Sequence, residues 1–304
     1  MSGVRVDGRV AIVTGAGRSL GRAYAHALAA AGAAVVVNDV DADAAGAVVR
    51  EIEDAGGRAV AAVTAVGPAD AADLLVRAAL DAFGRLDVLV ANAGVLRDRV
   101  LWKMTDDEFD LVVDTHLRGT FTCARAVVRH LREQGDGGRL ILIGSPAGQF
   151  GSFGQTNYAA VKAGIVAMAR TWSLELARDG VTVNAVVPTA LSPMTATIPA
   201  YTQAYEDHLA GLPIPVALRR DNALGTPEDV APLVVWLASD DAAGVTGQAI
   251  GIGGDRLSLY AHPAVLESET RDGGWSAEEI DRVWSERFAA RAQPSGPPSR
   301  RETT

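Results

Sequence analysis

Seven short runs rich in β-branched residues punctuate the chain: RVAIV (9–13), AVVVN (34–38), RAVAAV (58–63), LDVLVAN (86–92), RLILIG (139–144), VTVNAVV (181–187) and GQAIGI (247–252). Several are apolar at every position rather than at alternate ones. That pattern predicts strands covered by helices on both faces. Between the runs lie alanine-rich segments of helical length, at roughly 19–31, 41–55, 69–83, 105–133, 157–178 and 227–238. Two have readable starts. Thr105 to Glu108 has the spacing of a capping box, in which a hydroxyl and a carboxylate satisfy free backbone N–H groups. Thr226, Pro227, Glu228 and Asp229 put proline at the first helical position and acids in the first turn. Strand and helix alternate over about 250 residues, which predicts one α/β domain around a doubly wound, seven-stranded parallel sheet with the strand order 3-2-1-4-5-6-7. No internal repeat is visible.

The pattern fades after Asp255. The extension at 256–304 holds one strong segment, SAEEIDRVWSERFAAR (276–291), whose Ile280, Val283, Trp284 and Phe288 share a face at helical spacing. That face would pack on the main domain or a neighbouring subunit, with a substrate lid as the alternative. The tail QPSGPPSRRETT is expected to be disordered.

Composition narrows the function. A net charge of −9, with no long basic block, argues against nucleic acid and anionic membrane as partners. Cys123 is the single cysteine, so no internal disulfide can form, as suits a reducing compartment. The N-terminal apolar run is too short for a signal peptide, and no stretch reaches the ~18 apolar residues of a membrane span. The expectation is a soluble, cytoplasmic protein.

VTGAGRSLG (13–21) follows the first strand and opens the first helix. Gly15, Gly17 and Gly21 allow a tight turn and close approach to a pyrophosphate, which the helix N-terminus would hold through its N–H groups and dipole. The second strand ends at Asp39, 18 residues after Gly21. A carboxylate there accepts hydrogen bonds from an adenosine ribose and repels a 2′-phosphate, favouring NAD over NADP. Arg18 could still neutralise such a phosphate. Asn92, Ala93 and Gly94 close the fourth strand, where small residues leave room for a cofactor.

Tyr158 and Lys162 stand at i and i+4, so they share one helix face. A free phenol titrates near ~10 and must fall by about three pH units, about 4 kcal/mol, to work near neutrality. An ammonium one turn away and the positive end of a bound nicotinamide would stabilise the phenolate. Ser145, at the end of the fifth strand, could hold a substrate oxygen towards the phenol.

Taken in order, these residues resemble the short-chain dehydrogenase/reductase family over about residues 7–255. Thr14, Gly15 and Gly21 match its loop, Asn92 to Gly94 its NAG, Ser145 its serine, Tyr158 and Lys162 its YxxxK, Pro188 its proline after the sixth strand, and Thr246 to Gln248 its TGQ. The resemblance implies a Rossmann-type fold and hydride exchange between a nicotinamide and a secondary alcohol or ketone. It places Ser145, Tyr158, Lys162 and His116 in the chemistry. It also places Gly15, Gly17, Arg18, Ser19, Leu20, Gly21, Asp39, Val66, Asn92, Ala93, Gly94, Tyr158, Lys162 and Pro188 around the cofactor. It implies a dimer or tetramer in which helices 105–133 and 157–178 pair across two-fold axes. Small residues such as Ala160, Ala163 and Ala167 suit such pairing, and equally suit packing on the sheet.

Four positions depart from the family. Ser19 stands where its middle glycine is usual, Ala65 replaces an aspartate, Thr189 replaces a glycine, and His116 replaces the asparagine of a proton relay. A histidine there could serve through backbone, carry a pH-sensitive charge, or simply be a packed helix residue. No metal is expected. VVVNDV (35–40), NAGVLRDRVLWKM (92–104), HLRGTF (116–121) and FGQTNYAAVKAG (153–164) resemble one branch, the (3R)-hydroxyacyl-CoA dehydrogenase unit of peroxisomal multifunctional enzymes and bacterial sterol-degradation relatives. That branch implies NAD and a hydroxyacyl thioester or hydroxysteroid-like alcohol. Arg97, Arg99, Lys103, Arg219 and Arg220 would meet the phosphates of coenzyme A. Met194, Ile198, Tyr201, Tyr205 and Leu209, in the loop 189–225, would line an apolar pocket. The alternatives are a reductase of small or polyketide-type ketones and a non-catalytic nucleotide-binding protein.

Overall fold

In the computed structural model, which describes residues 3–293 and Gly296, the apolar runs pair into one sheet. Its strands are β1 (Val10–Thr14), β2 (Ala34–Asp39), β3 (Arg58–Val63), β4 (Val88–Ala91), β5 (Gly138–Ile143), β6 (Val181–Pro188), β7 (Ala249–Gly253) and β8 (Arg256–Leu259). The order is β3-β2-β1-β4-β5-β6-β7-β8. The first seven are parallel, in the expected order. The eighth lies antiparallel to β7 as a hairpin, Gly253 opposite Arg256. Its RLSL lacks a buried face, so nothing in the pattern distinguishes it from loop.

The helices are α1 (Ser19–Ala30), α2 (Ala42–Asp54), α3 (Ala69–Phe83), α4 (Asp106–Val112), α5 (Gly119–Gln134), α6 (Pro146–Phe150), α7 (Thr156–Glu175), α8 (Pro199–Leu209), α9 (Val216–Asp221), α10 (Pro227–Ala238) and α11 (Ala277–Val283). Successive strand residues point to opposite faces. Ala11 and Val13 therefore join one apolar layer, under α1, α2 and α10. Val10 and Ile12 join the other, under α3, α5 and α7. This is why the strands read as apolar throughout. Both predicted caps form, and Asp229 completes a capping box with Thr226.

The single helix expected at 105–133 is interrupted. Residues Val113–Arg118 form a π-helical segment between α4 and α5, with His116 buried inside it. Such bulges cluster at functional sites.

The large unit ends at Tyr260, and a small second unit begins at Ala261. In the small unit α11 starts at a Ser276–Glu279 capping box. A π-helical turn (Trp284–Phe288) follows and sets the Trp284 and Phe288 rings edge to face at 6.4 Å. Apart from Gln293 and Gly296, the tail expected to be disordered lies outside the described residues. Among the described residues, no helix is long and apolar enough to cross a membrane.

Candidate active site

The carboxyl ends of β1, β4, β5 and β6 line one edge of the sheet and carry the glycine loop, Asn92 to Gly94, Ser145 and Pro188. Thr14 ties β1 to β4. Its Oγ1 accepts from Asn92 N at 2.9 Å and Ala93 N at 3.0 Å, while Asn92 Nδ2 donates to the Thr14 and Gly15 carbonyls at 2.9 and 3.1 Å. A Cβ on Gly21 would sit 2.0 Å from the Gly15 carbonyl. This glycine therefore serves the packing of helix on strand.

The residues fit a dinucleotide. α1 opens with no side-chain cap and no acid in its first turn, whereas α2 and α4 are capped by their own side chains. Its first N–H groups are thus available to an anion. Asp39 is buried, its Oδ2 accepting from Gly17 N at 2.9 Å and its Oδ1 from Asp41 N at 3.1 Å. Each oxygen keeps a lone pair for a ribose hydroxyl. A Cβ on Gly17 would touch that carboxylate at 2.8 Å. Arg18 is paired with Asp41 at 2.7 Å, so its charge is already answered. Ser19 takes the backbone shape of the glycine it stands in for, with φ of 49°. Pro188 ends β6 beside Ile252. Val66 packs against Gly119, whose missing Cβ would lie 2.8 Å from it.

Lys162 lies beside Tyr158 as the i, i+4 spacing implied, and His116 forms a second wall. The Lys162 Nζ lies 5.5 Å from the Tyr158 ring centre, and His116 meets that ring edge to face at 5.3 Å. The Lys162 ammonium is buried and donates to the Ile143 carbonyl at 2.6 Å, which anchors it to the end of β5. Ser145 caps α6, accepting from Ala147 N at 3.2 Å.

The electrostatics run against the simple expectation. Burial pushes the Tyr158 phenol up, the Ser145 hydroxyl pulls it down, and Asp98 pushes it up further. Burial likewise lowers Lys162 to about 7. In the protein alone, desolvation outweighs the Ser145 hydrogen bond, and the phenol stays protonated.

His116 is pushed down to about 3, by burial first and Lys162 second. Both causes disfavour the imidazolium, so the folded ring is neutral near pH 7. Its Nε2 sits between the Val95 N–H at 3.0 Å and the Val95 carbonyl at 2.8 Å, and its Nδ1 has no partner among the described residues. The ring lies against Gly94, where a Cβ would come within 2.1 Å of Cε1. The room beside Gly94 is thus filled by His116.

Asn157 is the functional neighbour that the sequence reading missed. It is fully buried, donates to the Arg97 and Glu108 carbonyls at 3.1 Å each, and accepts from Tyr158 N at 2.8 Å. It thereby ties the loop after β4, α4 and the start of α7 together. The only available signal was a polar residue inside FGQTNYAAVKAG.

Two groups of expectations change at the mouth. Arg99 is paired with Glu108, and Arg219 with Asp229 and Asp255. Arg97, Lys103 and Arg220 are exposed with no carboxylate partner among the described residues. In the loop 189–225, Leu191, Ala204, Ile214 and Leu224 form a small core of their own, with Tyr201 and Tyr205 packed on it. Met194, Ile198 and Leu209 stay exposed.

A family model described as short chain dehydrogenase matches residues 9–203. The chain is 42% identical over 248 residues to peroxisomal multifunctional enzyme type 2 of Mus musculus, covering 79% of this chain and 31% of that protein. It is 39% identical over 299 residues to a hydroxyacyl-CoA dehydrogenase of Mycobacterium tuberculosis, covering 94% and 90% of the two chains. It is 36% identical over 252 residues to a 3-oxoacyl-[acyl-carrier-protein] reductase of Thermotoga maritima, covering 83% and 98%. A crystal structure of a short chain dehydrogenase from Mycobacterium avium superposes with a TM-score of 0.82 at 38% identity, over 97% of this chain and 99% of that one. The chain thus spans about a third of the multifunctional enzyme and nearly all of the other relatives.

Proposed function

The chain belongs to the short-chain dehydrogenase family, and from that premise we propose that it is an NAD-dependent dehydrogenase of 3-hydroxyacyl thioesters of coenzyme A or hydroxysteroid-like alcohols. The observation that carries this reading is the enclosure of the Tyr158 ring by Lys162 and His116 beside Ser145, on the same sheet edge as Asp39.

A nicotinamide dinucleotide, when bound, supplies the hydride acceptor and a positive charge beside the phenol. Ser145 orients the substrate oxygen by hydrogen bonding. Tyr158 takes the alcohol proton as the C–H bond breaks, and returns it in the reverse reaction. Lys162, anchored on Ile143, stabilises the phenolate. His116 holds the Val95 peptide beside the site, at a helix irregularity of the kind the family's relay employs. Asp39 reads the adenosine ribose, and with Arg18 engaged by Asp41 a 2′-phosphate has no ready partner. Arg97, Lys103 and Arg220 are the cations available to the phosphates of coenzyme A.

The exposure of Ala160, Ala163 and Ala167 on α7, and of Phe109, Leu111 and Phe121 on α4 and α5, fits pairing of these helices with a second copy. Packing on the sheet falls instead to Val161, Ile165, Val166 and Ala169. A reductase of acyl-carrier-bound ketones is the second reading, favoured by the similarity to the Thermotoga enzyme along nearly its whole length.

Turnover of 3-hydroxyacyl-CoA with NAD and with NADP, beside a carrier-bound ketone, separates the readings. Tyr158→Phe should abolish turnover and leave NAD binding intact. Asp39→Ala should weaken NAD more than NADP. Substantial residual rate in the first variant, or an unchanged ratio in the second, overturns the respective assignment.

A further inference from the structure

α6 is five residues long, and none of them is buried. α7 beside it is seated on the sheet by Ile165, Val166 and Ala169. Gly148 is where the two helices touch. A Cβ there would lie 2.6 Å from both the Ala163 N and the Lys162 carbonyl carbon, and 2.8 Å from Lys162 Cβ. The first two are backbone atoms, so no change of rotamer clears them. Gly148 is not among the glycines with positive φ, so its own backbone would accept a side chain. The glycine is required by its neighbour and not by the turn.

With a Cβ present, one helix must move. α7 is held by its buried face and by Lys162, whose ammonium donates to the Ile143 carbonyl at 2.6 Å. α6 has no buried face and gives way. Its first turn is bonded twice to Ser145, from Ala147 N to Oγ at 3.2 Å and from Gly148 N to the carbonyl oxygen at 3.0 Å. Ser145 therefore travels with it. To reach ordinary contact, near 3.4 Å, α6 must retreat by about 0.8 Å.

We propose that Gly148 is a positioning residue of the site: its missing side chain lets α6 lie directly on the α7 backbone and so keeps the Ser145 hydroxyl against the Tyr158 phenol. The inference rests on the hydride-transfer reading above and adds the contact that sets the distance between the two hydroxyls. The other titratable groups set around the phenol are Lys162 on α7, His116 on the π-helical turn, Asp98 in the loop after β4 and Tyr24 on α1. None belongs to α6, so a shift of α6 removes the Ser145 hydrogen bond and leaves them in place.

The test compares wild type with Gly148→Ala in the oxidation of 3-hydroxybutyryl-CoA, reading kcat and the pH profile of kcat/KM. Gly148→Ala should lower kcat about ten- to a hundredfold, the cost of a misplacement near 1 Å. The limb that rises with pH, on which Tyr158 must lose its proton, should move to higher pH, because the phenolate has lost the Ser145 hydrogen bond. A mere loss of folded protein would lower the rate equally at every pH and leave that limb where it was. ADP, which would reach only the glycine loop and Asp39, should bind both proteins alike by isothermal titration. An unchanged kcat, or a lowered kcat with an unmoved limb, overturns the assignment of Gly148. So does a variant that fails to fold by circular dichroism, since the glycine would then serve the whole domain. If wild type oxidises the thioester with neither NAD nor NADP, the reading beneath fails, and the proposal with it.

Discussion

Gly94→Ala is the smallest change that tests how the site is held together. A Cβ at 94 would lie 2.1 Å from His116 Cε1, 2.8 Å from Nε2 and 2.9 Å from Nδ1. Gly94 is not among the glycines with positive φ, so an alanine meets no backbone penalty there. The whole cost must come from the ring. That ring has little freedom to move, being 2% exposed, edge-on to Tyr158 at 5.3 Å and bonded through Nε2 to Val95. Displacing it costs about 1 kcal/mol of hydrogen bond, about 0.5–1.5 kcal/mol of aromatic contact and about 1–3 kcal/mol of overpacking, roughly 3–5 kcal/mol together. Urea unfolding measures this directly, and turnover should fall with it because Tyr158 loses a wall of its pocket. The decisive comparison is the same substitution in a His116→Ala background, where the clash is gone. Gly94→Ala should then cost less than about 1 kcal/mol, a coupling of at least 2 kcal/mol between the two positions. An equal cost in both backgrounds would show that the ring is not what requires the glycine.

Three further outcomes are expected. Ser19→Gly relieves a left-handed serine, with φ of 49°, and should raise stability by about 1 kcal/mol; a lower melting temperature would contradict this. Asn157→Ala removes three part-buried hydrogen bonds of a buried side chain and should cost about 2–4 kcal/mol. It should also lower turnover without changing NAD affinity, and a variant with wild-type unfolding and rate would refute the positioning role. The histidine sets an acid limb of stability. Its pKa falls from 6.5 in the unfolded chain to about 3 when folded, so between those values the unfolded chain binds a proton that the folded one does not. Stability present above pH 6.5 is therefore lost as pH falls, by about 1.4 kcal/mol per pH unit. His116→Asn should flatten that limb, and identical slopes in urea melts from pH 7 to 4 would remove the histidine as its source.

Much of the architecture follows from local rules that the chain spells out. Strands such as AVVVN are apolar on both faces because both faces are covered, and the glycine spacing of VTGAGRSLG matches a turn where a Cβ on Gly15 or Gly21 collides with backbone and one on Gly17 with the Asp39 carboxylate. Tyr158 and Lys162 share a face because four residues make one helical turn. Ser145 and Asp39 sit at strand ends, where a parallel sheet gathers its ligands. These relations are short-range or fixed by topology, so sequence alone determined them.

What only the folded structure decided depends on residues distant in the chain. The direction of the Tyr158 shift is set by how deeply the ring is enclosed, and the neutrality of His116 by the same desolvation with Lys162 added. Neither depth of burial has a signature in YAAVK or HLRG. Arg99 and Arg219 looked like free cations until Glu108, Asp229 and Asp255 were brought to them. The π-helical turn at 113–118, the dependence of Gly94 on His116 and the bonds of Asn157 to Arg97 and Glu108 all arise from packing between separate elements. Sequence patterns report which face a residue takes, because that is a matter of chain geometry. They do not report which side chain fills the space opposite, because that is settled only when desolvation and close packing are satisfied together.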